Sequence, residues 1–294
     1  MTQPQAVADY ESQDPASWRD QITKFGYVII HDAVPPESTA AVLDDIWSHT
    51  GASPDDPESW YRPDVISHGG MVEMYHYQSM WNVRQEPRLY EIFQAVLGSE
   101  RLWVSMDRVG FKPPVSPRHP DYDHKGMIHW DADIEKYPDL PFHVQGVLAL
   151  TDTEPDMGGF QCIPETYQDL EAFLKTQKPE ALASRSPDVT GYTITHPRLR
   201  AGDLLVWTNL LLHGNGHNTS TIPRFCQYVS MSLAPEDDDL ARASRVTAWN
   251  YNIPSPVRSV RTPFPGDPRR IEASRPAPAE LTPLGRKLLG LDSW

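Results

Sequence analysis

Cysteine is nearly absent: Cys162 and Cys226 are the only two in 294 residues. A disulfide framework is thereby excluded, and a reducing, cytoplasmic setting is expected. No apolar leader follows Met1, and no run approaches the roughly 20 apolar residues that a spanning helix needs. The membrane is therefore expected neither as solvent nor as anchor. Basic blocks are missing as well. With 26 Lys and Arg against 40 Asp and Glu, the formal net charge is −14, which repels polyanions and argues against nucleic-acid binding. A small-molecule partner is expected instead. No internal repeat is visible. What the chain has in quantity is proline, 29 residues. These are scattered among apolar runs and Trp-rich segments, so an ordered, loop-rich globule is expected, with the Pro-rich tail after Pro254 as its exception.

A chain of this length can bury a substantial core as one domain. The expected organisation is a single catalytic domain over 1–294: N-terminal helices and a substrate lid in 1–100, a β core in 101–235, and a C-terminal extension in 236–294. Helices are predicted over Asp14–Phe25, Glu37–His49 and Pro87–Leu97, each followed by a glycine suited to a C-cap. Tyr27–Ile30 reads as a short strand. Between the second and third helices, Ala52–Arg84 is rich in Gly, His, Tyr, Trp and Met and lacks sustained periodicity, which marks it as the lid candidate. From Leu102 the texture changes to short β-type runs: Leu102–Phe111, Gly126–Trp130, His143–Leu150, Gly159–Ile163, Tyr192–Thr195, Asp203–Trp207 and Arg224–Leu233. One helix, Gln168–Thr176, interrupts them. Few crossover helices fall among the later strands, so antiparallel closure is simpler than a parallel sheet. The predicted fold is an all-β core with flanking helices, a jelly roll.

The sharpest chemical feature is His129-Trp130-Asp131. In an extended run a period of two places His129 and Asp131 on one face. His213, beyond the apolar run Asp203–Trp207, is the best third donor. Two imidazoles and one carboxylate on one side of a metal leave positions open opposite, the arrangement associated with non-haem Fe(II) oxygenases. Oxygen and a co-substrate need those positions. Eleven residues beyond His213 stands Arg224, whose guanidinium offers a fixed fork of donors for a carboxylate. An arginine pointing into a barrel implies a bound acid, here the distal carboxylate of 2-oxoglutarate. Gln145 shares a strand face with Val147 and Ala149, an inward composition, and is placed to touch substrate or 2-oxoglutarate.

Taken in order, His129-x-Asp131, Gly158-Gly159-Phe160-Gln161-Cys162-Ile163-Pro164, Ala201-Gly202-Asp203 leading to His213, and Pro223-Arg224 resemble the phytanoyl-CoA dioxygenase family. The opening Phe25-Gly26-Tyr27-Val28-Ile29-Ile30 and the closing run Leu281–Gly290 resemble members of it too. The resemblance implies a double-stranded β-helix of the cupin-like type, Fe(II), 2-oxoglutarate and O2, and hydroxylation or related oxidation of unactivated carbon; desaturation, epimerisation, ring formation and endoperoxide formation use the same ligands, and hydroxylation of a small molecule in secondary metabolism is expected. It carries His129, Asp131 and His213 over as metal ligands and Arg224 as the co-substrate anchor. Related enzymes often place a group for the other end of 2-oxoglutarate on the strand before the His-x-Asp, where Lys112 and Arg108 stand. The usual Gly-Ser-His after the proline is Glu165-Thr166-Tyr167 here, which departs from the pattern. Halogenases resembling this family lack the metal-binding carboxylate, so Asp131 argues against halogenation.

Most other histidines are expected to be structural, His217 and His124 included, and Asp133 is expected to be solvated. His68, Tyr75 and His76 in the lid candidate are possible substrate contacts. Trp81, Trp103, Cys162 and Cys226 read as core. Two rival readings remain: a cupin-like Zn(II) hydrolase or isomerase on the same three side chains, and a catalytically silent metabolite-binding barrel.

Overall fold

The computed structural model describes residues 13–123, 126–255 and 264–294. His124 and the stretch 256–263 of the Pro-rich tail lie outside the described residues. The chain begins with α1 (Pro15–Phe25), started by Asp14, whose carboxylate accepts the Ala16 N–H, and by a proline in the first turn. It ends at Gly26, with φ +87, where a Cβ would lie 2.9 Å from Leu211. Backbone conformation and packing both require glycine there. Then follow β1 (Tyr27–Ile30), α2 (Pro36–Thr50), β2 (Met71–Val72), α3 (Gln78–Arg84), α4 (Pro87–Leu97), β3 (Leu102–Val104), β4 (Val109–Lys112), β5 (Val144–Ala149) and β6 (Phe160–Cys162). Helices α5 (Pro164–Gln168), α6 (Leu170–Thr176) and α7 (Pro179–Ser184) form an insertion before β7 (Leu204–Thr208), β8 (His213–Asn215), β9 (Arg224–Tyr228) and β10 (Met231–Leu233). The chain closes with α8 (Asp239–Asn250) and α9 (Pro283–Leu289).

A six-stranded antiparallel sheet of order β1-β7-β5-β9-β4-β2 organises the molecule. Strand alternation separates its two faces. Val28, Ile30, Leu148, Leu204, Val206, Phe111 and Phe225 face the helices and join the main core with Trp18, Ile22, Val42, Ile46 and Phe93. Tyr27, Ile29, Val147, Ala149, Leu205, Trp207 and Cys226 face the other way and meet Phe160 and Cys162 of β6. The second sheet pairs β6 with β8. Isolated bridges extend it on both sides, His129 to His213 and Cys162 to Thr195. A third cluster, Trp130, Ile134, Ile163, Leu170, Phe173 and Leu212, covers this second sheet with the α5–α7 insertion.

The first three predicted helices and β1 are present within a residue or two, while several expected runs differ. Leu102–Phe111 breaks because β3 pairs with β10 whereas β4 pairs with β9 and β2, so the chain changes sheet at residues 105–108. Arg224–Leu233 divides into β9 and β10 for the same reason. Gly126–Trp130 and Tyr192–Thr195 reach only single bridges. Within the lid candidate, 78–84 is a helix with Met80, Trp81, Val83 and Arg84 buried, so that part is core. The tail also departs from expectation: residues 264–294 pack down, burying Glu272, Ala279, Leu288 and Leu289. Among the described residues no helix is long and apolar enough to cross a membrane.

Candidate metal centre and adjoining anion pocket

The bridge between His129 and His213 is reciprocal: the His129 N–H donates to the His213 carbonyl at 2.9 Å, and the His213 N–H returns the bond at 3.1 Å. It sets the two rings 4.7 Å apart between centroids. Two residues on, Asp131 brings Oδ1 to 3.5 Å from His129 Nε2 and Oδ2 to 3.3 Å from His213 Nε2. One donor atom from each of the three side chains lies within 4.8 Å of the others. The tautomer of His213 follows from its neighbour. Nδ1 lies 2.9 Å from the Leu211 carbonyl, which can only accept, so Nδ1 carries a proton and Nε2 is the ring atom turned toward Asp131. This donor set fits a divalent metal, and its mixture of imidazole and carboxylate suits iron.

The supports around the cluster are specific. The Gln145 amide donates to Asp131 Oδ2 at 2.5 Å, and Arg185 Nη1 donates to the Asp131 carbonyl at 2.8 Å. Phe160 stacks on His213 with ring centroids 5.9 Å apart, and Trp207 packs on the same imidazole at 5.1 Å. Burial alone would raise the Asp131 carboxyl. The imidazoles of His129 and His213 and the Gln145 amide outweigh it and hold the group well below the usual carboxylate range. Side chains of His129 and Asp131 are 27 % and 28 % exposed against 6 % for His213, so the cluster is open on one side.

Beside it lies a cluster of opposite character. Lys112 and Arg224 are partners across β4 and β9 and are almost wholly buried. Arg224 Nη2 donates to the Gly158 carbonyl at 3.1 Å and to Asn215 Oδ1 at 2.7 Å, and Nη1 approaches Cys226 Sγ at 2.6 Å. Its Nε is buried without a partner. Burial and the neighbouring Arg224 charge push the Lys112 ammonium down to about 7. Asp123, the carboxylate that favours its charged form, is itself paired with His217 at 2.5 Å. Gly110 makes room, since a Cβ there would lie 2.7 Å from Cys226 Sγ. Asn215 stands two residues after His213 on β8 and so shares its face, joining this cluster to the metal cluster.

Of the residues singled out by sequence, His129, Asp131, His213 and Gln145 come together, and Lys112 and Arg224 meet next to them. Arg108 does not join: it pairs with Glu73 at 2.8 Å and lies over Phe264. His217 stands outside the donor cluster, on Asp123. Asp133 pairs with Lys136. Tyr75 and His76 are buried, with their N–H groups held by Glu272, and burial pushes His76 down to about 3. They are packing residues, whereas His68 lies edge-on against Tyr122. Trp81, Trp103, Cys162 and Cys226 are buried as expected. Asn215, Trp207 and Arg185 were not anticipated. The first two carried a signal, the period of two from His213 and from Gln145's partner strand, while Arg185 carried none.

A family model described as Phytanoyl-CoA dioxygenase (PhyH) matches residues 22–226. Among curated proteins, Ava biosynthesis cluster protein O of Aspergillus versicolor is 25% identical over 266 residues, covering 81% of this chain and 84% of the relative. Among solved structures, GlcNAc Inducible Gene 2 of Candida albicans superposes with a TM-score of 0.65 at 12% identity, over 98% of this chain and 79% of that one. The epimerase SnoN from nogalamycin biosynthesis, solved with Fe3+, alpha ketoglutarate and nogalamycin RO, superposes with a TM-score of 0.51 at 17% identity, over 74% of this chain and 84% of that one. These likenesses are of fold.

Proposed function

The chain belongs to the phytanoyl-CoA dioxygenase (PhyH) family, and from that premise we propose that it oxidises, most simply hydroxylates, an unactivated C–H of a small molecule in secondary metabolism. It is an oxidoreductase whose cofactor is Fe(II) and whose co-substrate is 2-oxoglutarate. His129, Asp131 and His213 hold the metal. Arg224, with Lys112 beside it, takes the distal carboxylate of 2-oxoglutarate, and Gln145 orients Asp131. The two facing antiparallel sheets are read as a double-stranded β-helix of the cupin-like type, within one catalytic domain. When bound, iron and the keto acid supply the oxidising chemistry. The protein's own part is positional: Phe160 and Trp207 fix the plane of the His213 ring, and the apolar wall of Tyr27, Val147 and Leu205 limits water on the sheet side.

The observation that carries this reading is the buried Lys112–Arg224 pair next to a carboxylate–imidazole cluster. A Zn(II) hydrolase on the same three side chains has no use for two buried cations, and a silent barrel has no use for either set. Biosynthetic settings in the names of the Aspergillus relative and of SnoN support secondary metabolism. Asp131 leaves no vacant ligand position for halide.

Fe(II) and 2-oxoglutarate added to the purified protein under argon should give the weak visible charge-transfer band of a bidentate keto acid on iron. Admitting air should then release succinate. A protein that shows neither, while binding Zn(II) tightly, overturns the oxygenase reading in favour of the zinc one.

A further inference from the structure

His129 and Asp131 sit in a segment that makes only one bridge to a strand, yet a metal ligand must be held to within a fraction of an ångström. Trp130 is held on the opposite side. It is buried, its indole N–H donates to the Leu210 carbonyl at 3.0 Å, and its ring meets Phe173 edge-on. Two further backbone groups of the segment, the Trp130 N–H and the Asp131 carbonyl, are taken by one residue of the insertion. Arg185 follows α7 with φ +58, a conformation that L side chains rarely adopt. Its carbonyl accepts the Trp130 N–H at 3.3 Å, and its Nη1 donates to the Asp131 carbonyl at 2.8 Å. One residue thus grips the chain on both sides of the Trp130–Asp131 peptide, as a strand neighbour would. The turn that allows this is closed by the Arg185 N–H on the Leu182 carbonyl at 3.1 Å, and Leu182 packs in the cluster around Trp130.

We propose that Arg185 is a positioning residue for the metal centre, its guanidinium and backbone together setting where the Asp131 carboxylate stands relative to His129 and His213. A left-handed arginine in place of glycine is a conformational cost accepted where the side chain is required. The inference rests on the proposed ligand set. It makes the α5–α7 insertion a mechanical part of the site, though no side chain of the insertion is a ligand.

The test separates the guanidinium from the backbone. Arg185→Gly removes the side chain but suits φ +58, Arg185→Ala removes it and keeps the strain, and Arg185→Lys keeps a donor of similar reach. Mn(II) is titrated into each full-length protein and the free ion read by its EPR signal, alongside the melting temperature of the metal-free protein. Partners that orient ligands are worth roughly 10-fold to 100-fold in metal affinity. Arg185→Gly should lose affinity in that range while the metal-free protein melts no lower than the parent. Arg185→Ala should lose the same affinity and melt lower, and Arg185→Lys should recover part of it. An Arg185→Gly protein that binds Mn(II) as tightly as the parent overturns the inference, and so does one whose affinity falls only together with its melting temperature. A parent that binds no Mn(II) overturns the ligand reading and this inference with it.

Discussion

On β8 two residues face the same side and serve opposite excesses of charge. Around His213, the ring nitrogens of two imidazoles and the Asp131 carboxylate lie within 4.8 Å of one another. Around Asn215, the Arg224 and Lys112 cations crowd together, almost wholly buried. Most polar clusters in a protein interior mix the two signs and are satisfied internally. Here a carboxylate–imidazole cluster and a pair of buried cations stand side by side, and the charge of Lys112 is disfavoured by burial and by Arg224. Such a juxtaposition makes sense where ligands complete the balance, a cation on one side and a dianion reaching from it to the other. An acid bound beside Lys112 and Arg224 would offset the two buried positive charges, as a cation would offset the Asp131 carboxylate.

The first way to break the comparison is to remove the carboxylate that defines one side. Asp131→Ala should weaken Fe(II) binding by more than about 100-fold, beyond what is lost with a partner outside the ligand set. Arg224 should retain whatever acid it can bind without metal. Equilibrium dialysis under argon measures this, with His217→Ala as the control that keeps iron. If His217→Ala loses the metal and Asp131→Ala keeps it, the third ligand and the strand register are both misplaced.

A smaller effect is expected on the other side. Arg224→Ala leaves the distal carboxylate facing one buried cation instead of two, a loss on the order of 2–5 kcal/mol, tens- to thousands-fold in 2-oxoglutarate affinity. Fe(II) affinity should be unchanged, because Arg224 is not a ligand, and Arg224→Lys should restore only part, keeping charge without the fork. Calorimetric titration of 2-oxoglutarate into metal-loaded variants decides it. Parental affinity in Arg224→Ala would merge the two compartments into one metal site.

Lys112 sharpens the comparison through pH. Its folded value of about 7 lies below its ordinary 10.5, so between these values the unfolded chain binds more protons and stability rises with pH. Below pH 7 both states are protonated and the full cost of the buried charge is present, on the order of 5 kcal/mol at most. Lys112→Met should therefore raise the ligand-free melting temperature at pH 6, and that gain should shrink toward pH 10. The same variant should bind 2-oxoglutarate about tenfold more weakly, the worth of one partly shared cation near 1.4 kcal/mol. Thermal melts across pH, with and without 2-oxoglutarate, would refute the assignment if the gain were independent of pH.

Local chemistry was legible where it was strong. Asp14, Gly26, Gly51 and Gly98 mark the ends of the first long helices in the sequence as in the structure, because caps are read within one turn. His129 and Asp131 were visible because a period of two survives even though their segment never becomes a strand. The helix Gln78–Arg84 was not, since seven residues are too few to show an amphipathic stripe and its buried set includes the polar Ser79 and Arg84. The tail was misread for a related reason: its prolines suppress regular structure, but Glu272, by accepting from the Tyr75 and His76 N–H groups at 2.6 Å each, fastens it to the core.

Sequence alone pointed to the class of chemistry, because two imidazoles, a carboxylate and an arginine are residue types at ordered positions, and those are chain properties. Only the tertiary structure decided which cation joins Arg224. Lys112 and Arg108 are four residues apart and equivalent by composition, yet β4 pairing sets Lys112 opposite Arg224, whereas Arg108 precedes the strand and is captured by Glu73. The same holds for Arg185, 54 residues from Asp131 in sequence and 2.8 Å from its carbonyl: no local pattern records a contact made by an insertion folding back on the sheet that interrupts it.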